Sequence, residues 1–348
     1  MATDPKLVVL GAGSVGCFVG GAWLAAGCKV SFVGREKVAA EIAGHGMGLS
    51  DGKGWRIHLA SDLIDFHTKS AKTLKQADMI LLTVKSTGTE AAAREIARHA
   101  RPGTVVISFQ NGVSNADTLR RLLPRFEIVP AMVAFNVARL GPGRWHRATF
   151  GELVAQDHPA TRTLTARIGE RPGKLQLAAD MAPVAWGKLL LNLNNAINAL
   201  SGMTLLEQLS HRDFRRVLAA AMIETLELLK AAGIEPAKLG PIPPRLLPHA
   251  IGGGDFIFRN LLLRVMKIDP EARSSMADDL AAGRPTEIDY LNGEVVALAR
   301  SLGREAPVNA AIVALVKQAE LGVERLWSPA ELRGHVLEGH RQVAMFGY

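Results

Sequence analysis

Along the first half of the chain, short apolar runs alternate with stretches in which small and apolar residues recur at helical spacing. The opening "KLVVLGAGSVGCFVGGAWLAAGCKVSFVGR" reads strand, glycine turn, helix, strand, which is one βαβ unit. Further apolar runs follow at "ADMILLTVKS", "GTVVISFQNG" and "EIVPAMVAFNVARL", with helical patterns such as "TEAAAREIARHA" between the earlier pairs. Alternation of this kind predicts a mostly parallel, doubly wound α/β sheet with helices on both faces. The segment "GPGRWHRATFGELVAQ" reads as a turn and an antiparallel edge strand.

From Ala182 onward the strand signals stop and long helical patterns take over: "APVAWGKLLLNLNNAINAL", "FRRVLAAAMIETLELLKAAG", "IDYLNGEVVALARSLG" and "NAAIVALVKQAELGVERL". The chain of 348 residues is thus expected to form two domains, an α/β domain over 1–181 and an all-α domain over 182–348. The Pro- and Gly-rich stretch from Gly233 to Asp255 reads as a loop inside the second domain, because helices resume on both sides. The tail beyond Leu326 is amphipathic and reads as an appendage.

Composition narrows the function classes. No apolar run approaches the roughly 20 residues of a membrane span, and the N-terminus has no secretory pattern, so a cytoplasmic protein without membrane attachment is expected. Cys17 and Cys28 have no partner cysteines or histidines at metal spacing and read as core thiols, with no metal site. The net charge is +8 and the pI near 9.7, yet the basic residues are dispersed and aromatics make up 5%. That pattern fits a binder of small anions and argues against nucleic acid, which needs a stacking platform or a basic helix.

Gly11-Ala12-Gly13-Ser14-Val15-Gly16 is a G-x-G-x-x-G that ends a strand and opens a helix. In that setting its glycines allow a tight turn and let the backbone approach a pyrophosphate resting on the helix N-terminus. At the end of the second strand, where an NAD enzyme places an acid on the ribose hydroxyl, stand Gly34 and Arg35. An arginine there pairs with a 2′-phosphate, so the expected cofactor is NADPH. "TVKS" and "FQNG" end two further strands and place Lys85 and Asn111 over the cofactor, although a surface lysine and a turn former before Gly112 are the plainer readings of each alone.

In the helical half, one run raises a question. At about 100° per residue, Lys188, Asn192 and Asn195 fall within about 60° of one another on an otherwise apolar helix. Unpaired buried amides cost roughly 1 to 3 kcal/mol each, so this polar stripe faces either an interhelical network or a ligand. Further along, "SSMADDLAAGRPTEIDYLNG" holds Ser275 and Glu287; there Thr286 could serve as an N-cap with Asp289 at its third position, and Glu287 could serve only the helix dipole.

Taken together, the glycine motif, the Lys after one strand, the "NG" after the next, "W-x-K-L-x-x-N" opening the helical half and "SSM…TEIDYLNG" resemble the ketopantoate reductase family over most of the chain. The resemblance implies a Rossmann-type N-terminal domain and a reduction of a 2-keto acid, 2-dehydropantoate, by NADPH in pantothenate synthesis. It implies Lys188 as general acid, Glu287 as a substrate contact, and Asn192, Asn198 and Ser275 as pocket residues, with Arg35, Lys85 and Asn111 on the cofactor. The chain departs from the family where Ala196 stands eight residues after the lysine and Asn198 ten after it. Two extra residues rotate a helix face by about 200° unless a bulge absorbs them, which leaves Asn195 as the alternative. The loop "MTLLEQL" lacks an asparagine the family often has, and Ala272 replaces a common polar contact. Three rivals follow: another NADP-dependent 2-keto acid dehydrogenase, an opine-like dehydrogenase, and a non-catalytic NADPH sensor. A homodimer is compatible with the sequence but not dictated by it.

Overall fold

The described residues of the first half form the strands β1 (Lys6–Leu10), β2 (Lys29–Val33), β3 (Met47–Asp51), β4 (Arg56–Leu59), β5 (Asp65–His67), β6 (Met79–Leu82), β7 (Val105–Ser108), β8 (Glu127–Val133), β9 (Val137–Arg139), β10 (Arg144–Arg147), β11 (Leu153–Gln156) and β12 (Leu175–Ala178). The computed structural model describes residues 4–149, 151–255, 258, 269, 271–323 and 325–338. Chain contacts divide it into two compact units, Met1–Val184 and Ala185–Tyr348.

In the first unit an eight-stranded sheet runs in the order β12-β11-β8-β7-β6-β1-β2-β5. The six strands from β8 to β5 are all parallel. Alternate residues of one strand feed different cores. Leu7 and Val9 of β1, with Leu81 of β6, join Phe18 and Trp23 of helix α1 (Ser14–Ala25); Val8 and Leu10, with Ile80 and Leu82, join Ala92 and Ile96 of a helix on the other face. Burial on both faces is why these strands read as unbroken apolar runs. The doubly wound sheet expected from the sequence is therefore present. Strand order reverses between β1 and β6, the position at which open α/β sheets bind ligands beyond their carboxyl ends.

One expectation fails. The expected antiparallel edge strand from Gly141 to Gln156 is two strands in two sheets. β10 lies in a separate four-stranded sheet, order β4-β3-β10-β9, parallel to β3 and antiparallel to β9. β11 is antiparallel to β8 but is no edge, since β12 covers its other side. Trp145 and Leu153 are both buried in the same core, so an apolar residue every second position records burial without recording which sheet supplies the partner.

In the second unit the first long pattern splits into α7 (Ala182–Asn192) and α8 (Asn194–Ser201), interrupted at Leu193, after α2 (Glu36–His45), α3 (Ala71–Lys75), α4 (Thr89–His99), α5 (Asn115–Leu122) and α6 (Pro159–Ile168) of the first unit. Next come α9 (Leu205–Ser210) and the twenty-residue α10 (Arg212–Ala231). The stretch expected to be a loop, Gly233 to Asp255, contains a turn of 3-10 helix (Pro244–Leu246) and α11 (Leu247–Gly252). Pro244 and Pro248 stand at helix starts, where a missing N–H costs nothing, so they begin helices here instead of breaking them. "IDYLNGEVVALARSLG" is likewise not one helix: Ile288–Tyr290 is 3-10, Leu291 leaves helical geometry (φ −118°, ψ −95°), and the α-helix is Asn292–Ser301.

The tail returns to the unit. Trp327 N–H donates to Leu200 O at 3.0 Å, closing the end of α8. Ser328 and Glu331 form a capping box on the helix Pro329–Arg333, and Arg333 pairs with Asp213 of α10 at 3.0 Å. Leu332 and Val336 are fully buried, so the amphipathic reading has a physical basis; its last part, residues 339–348, lies outside the described residues.

Candidate active site

The glycine turn is built by close approach. A Cβ on Gly11, whose φ is +98°, would meet Val84 Cγ1 at 2.6 Å and Val84 N at 2.7 Å; one on Gly16 would meet Thr83 Oγ1 at 2.5 Å. The turn is thus pressed against the end of β6, where Thr83 Oγ1 donates to Gly11 O at 2.8 Å. On Gly13, by contrast, a Cβ would meet nothing nearer than Gly11 O at 3.9 Å. Gly13 caps α1 without a side-chain hydrogen bond, and the first turn, Ser14-Val15-Gly16, carries no acid. An uncapped, acid-free helix start facing open space fits the pyrophosphate of a dinucleotide.

Arg35 is the exposed residue between β2 and α2, and its guanidinium makes no hydrogen bond or ion pair with another described residue. It sits beside the end of β5, because Val33 pairs with His67 and Gly34 N–H donates to His67 O at 3.0 Å. No acid stands at the end of β2 itself. The donor set fits a 2′-phosphate better than a ribose diol. Lys85, exposed, begins the 3-10 turn Ser86–Gly88 after β6; half-buried Asn111 follows β7. The structure joins these two loops through Ser86 and Asn115, residues the sequence reading did not single out: Ser86 Oγ donates to Asn111 O at 3.0 Å and Asn115 Nδ2 to Ser86 Oγ at 3.1 Å.

In the second unit the asparagines of the opening helices divide into two groups. Asn198 is fully buried; its Nδ2 donates to Met203 O at 3.0 Å and its Oδ1 accepts from Ser274 N–H at 2.9 Å. Asn194 donates to Gln208 Oε1 at 3.1 Å. Asn198 is thus knitted into the protein on both sides of its amide, whereas Asn194 Oδ1 is buried without a partner among the described residues. Lys188, Asn192 and Asn195 are half-buried, and among the described residues none of their side chains has a hydrogen-bonding partner. Burial pushes the Lys188 ammonium down to about 8. The sequence allowed a carboxylate beside it; Lys188 forms no ion pair with Glu287 or with any other described residue.

Ser275 is exposed and opens the helix Ser275–Ala281, while the buried neighbour Ser274 is its cap and donates to Asn195 O at 3.0 Å. This brings the start of that helix against Asn195 and Asn198. Glu287 is buried and precedes the 3-10 turn. The alternative of Thr286 as an α-helical N-cap does not hold: its hydroxyl donates to Glu320 at 2.7 Å and accepts from Ile288 N–H at 3.2 Å, and Asp289 pairs with Lys317 at 2.6 Å. Both cysteines are buried, and burial raises the Cys17 thiol to about 12, which suits a core position. Among the described residues there is no cluster able to hold a metal ion and no helix long and apolar enough to cross a membrane.

Comparison with known proteins bears on what these groups do. The family described as ketopantoate reductase PanE/ApbA matches residues 7–160, and its C-terminal counterpart matches residues 180–320. A 2-dehydropantoate 2-reductase of Mycobacterium tuberculosis is 29% identical over 260 residues, covering 74% of this chain and 81% of its own length. One from Halobacterium salinarum is 26% identical over 323 residues, covering 90% and 99%. Among solved structures, a PanE/ApbA family ketopantoate reductase from Ralstonia eutropha JMP134 superposes with a TM-score of 0.77 at 29% identity, over 91% of this chain and 99% of that one. D-mandelate dehydrogenase, in a ternary structure with NADH and anilino(oxo)acetate, shares the fold at a TM-score of 0.69 and 19% identity, over 91% and 99%. With both halves matched and the fold shared from end to end, this chain belongs to the ketopantoate reductase family of nicotinamide-dependent oxidoreductases.

Proposed function

We propose that this protein reduces 2-dehydropantoate (ketopantoate) to pantoate with NADPH, in the cytoplasm, residues 1–181 holding the cofactor and residues 182–348 supplying the substrate and catalytic groups. One observation carries the reading: a half-buried ammonium and two half-buried amides, Lys188, Asn192 and Asn195, lie on one stripe with no side-chain partner among the described residues, while Asn198 beside them is engaged at both ends of its amide. Polar groups held so are completed by a ligand or by water.

When bound, NADPH supplies a hydride to the keto carbon. Gly11, Gly13, Ser14, Val15 and Gly16 hold its pyrophosphate, Arg35 its 2′-phosphate, and Lys85 and Asn111 the part lying over the strand ends. Lys188 hydrogen-bonds the keto oxygen and gives it a proton as negative charge develops there. An ammonium titrating near 8 is about nine-tenths protonated at pH 7 and is a stronger acid than an ordinary lysine, which suits a general acid. Ser275 receives the carboxylate and Glu287 accepts from the terminal hydroxyl. A second reading, reduction of a different 2-keto acid, draws on Asn198, whose commitment to Met203 and Ser274 leaves the substrate one amide fewer.

The test is steady-state oxidation of NADPH by a panel of 2-keto acids, with Lys188→Ala alongside. A site built around a substrate hydroxyl rejects an analogue lacking it by up to roughly 10⁴, so ketopantoate should exceed 2-ketoisovalerate in kcat/KM by orders of magnitude. Lys188→Ala should lower turnover on the order of 10²-fold or more while NADPH still binds. A hydroxyl-free acid as the better substrate overturns the ketopantoate assignment. NADPH binding without turnover of any acid points instead to a sensor.

A further inference from the structure

Loops at the carboxyl ends of sheet strands are ordinarily exposed and mobile. The two that carry Lys85 and Asn111 are joined from beneath by a polar network in which Ser86, Thr89, Gln110 and Asn115 are all almost wholly buried. It starts at the end of β7, where Ser108 Oγ donates to Gln110 Oε1 at 3.0 Å. Gln110 Nε2 then crosses to the other loop and donates to Thr89 Oγ1 at 2.7 Å and Val84 O at 3.3 Å. The Thr89 hydroxyl lies 2.8 Å from both Asn115 Oδ1 and Ser86 O. Asn115 Nδ2, thus oriented, donates to Ser86 Oγ and to Asn111 O, which also accepts from Ser86 Oγ.

The donors and acceptors run in one sense only. Asn111 O can only accept, so the Asn115 amide turns its N–H groups to it and to Ser86 and its carbonyl to the Thr89 hydroxyl, which lies 2.8 Å from it. The main-chain oxygen of Asn111 is therefore held by two buried donors on parts of the chain that begin after different strands. A buried network gains little net stability over apolar packing, since each bond returns only about 1 kcal/mol, but it fixes geometry, because any member out of place strands another.

We propose that Asn115, oriented by Thr89, is a positioning residue that sets Asn111 and the Lys85 loop at the spacing the cofactor requires; this rests on the assignment of Lys85 and Asn111 to NADPH made above. Asn115→Asp keeps the shape but sets a carboxylate oxygen against Asn111 O in place of the donated N–H, and the Ser86 hydroxyl loses the donor it accepted from. Thr89→Val removes the orienting proton together with the acceptor of Gln110 Nε2, and Thr89→Ser restores both.

The experiment titrates the full-length protein and each variant with NADPH and with NADH by cofactor fluorescence, alongside thermal melts and kcat and KM on the keto acid. Asn115→Asp and Thr89→Val should each raise the Kd and KM for NADPH about tenfold or more while kcat at saturation falls less than threefold, and Thr89→Ser should stay within about twofold of the unaltered protein. Variants that melt above the assay temperature yet bind NADPH within twofold of the unaltered protein overturn the network's role and leave the proposed function standing. Should Asn115→Asp fail to fold, Thr89→Val decides. An unaltered protein that binds neither nucleotide overturns both.

Discussion

Lys188 shows how much a single residue's behaviour depends on its surroundings. Burial holds its ammonium near 8, and no carboxylate among the described residues offsets that. As a general acid it acts in its charged form, so kcat for reduction should be flat below pH 8 and fall tenfold per pH unit above it; bound phosphates would shift the midpoint upward. A pH-rate profile that stays flat to pH 10 rules this role out. The same depressed value has a stability consequence. In the unfolded chain a lysine titrates near 10.4, so below pH 8 folding holds a charge at a cost, and that cost vanishes as pH rises from 8 toward 10.4. Lys188→Met should therefore stabilise the protein at pH 7, by roughly 1 to 3 kcal/mol, with the gain shrinking at pH 10, while turnover is lost. Urea melts at the two pH values measure it. The lysine and its stripe were legible from helical spacing; the missing carboxylate was not, because Glu287 lies about a hundred residues away in sequence and only folding decides what stands beside Lys188.

At the scale of elements, α8 separates two kinds of asparagine that the sequence could not tell apart. Asn198 ties α8 to the turn at Met203 and to the start of the helix Ser275–Ala281. Asn198→Ala should cost about 2 to 4 kcal/mol, since it strands a buried N–H and a buried carbonyl at about 1 to 3 kcal/mol each. Asn192→Ala strands nothing and should leave stability within about 0.5 kcal/mol while raising the KM for the keto acid. Denaturant unfolding paired with substrate kinetics checks both; a stable Asn198→Ala with a raised KM would reverse the two roles. Leu193 keeps helical φ and ψ and donates to Leu189 O at 3.0 Å, which is why one helical wheel still groups Lys188, Asn192 and Asn195 across it. Spacing found the helices because apolar periodicity reports burial, but the departure of Leu291 from helical geometry leaves no mark on that period.

For the whole molecule, a ligand that binds only the folded state raises stability by about 2.7 kcal/mol at a hundred times its Kd. NADPH should thus raise the melting temperature measurably, by more than NADH at equal concentration, and Arg35→Ala should erase the difference between them. Equal shifts from both nucleotides in the unaltered protein would refute the 2′-phosphate role. That Arg35 follows β2 with no acid between them was written in the sequence, as were the glycine turn, the doubly wound sheet and the change to helices, because each follows from neighbours a few residues apart or from a repeating period. Tertiary structure alone decided the rest: the second sheet that takes β10 from β11, the tail's return to α8 through Trp327, the commitment of Asn198, and the Thr89–Asn115 network between two strand ends. In each of these the partners lie on different elements, and a hydrogen bond or strand pairing between elements leaves no period along the chain to read.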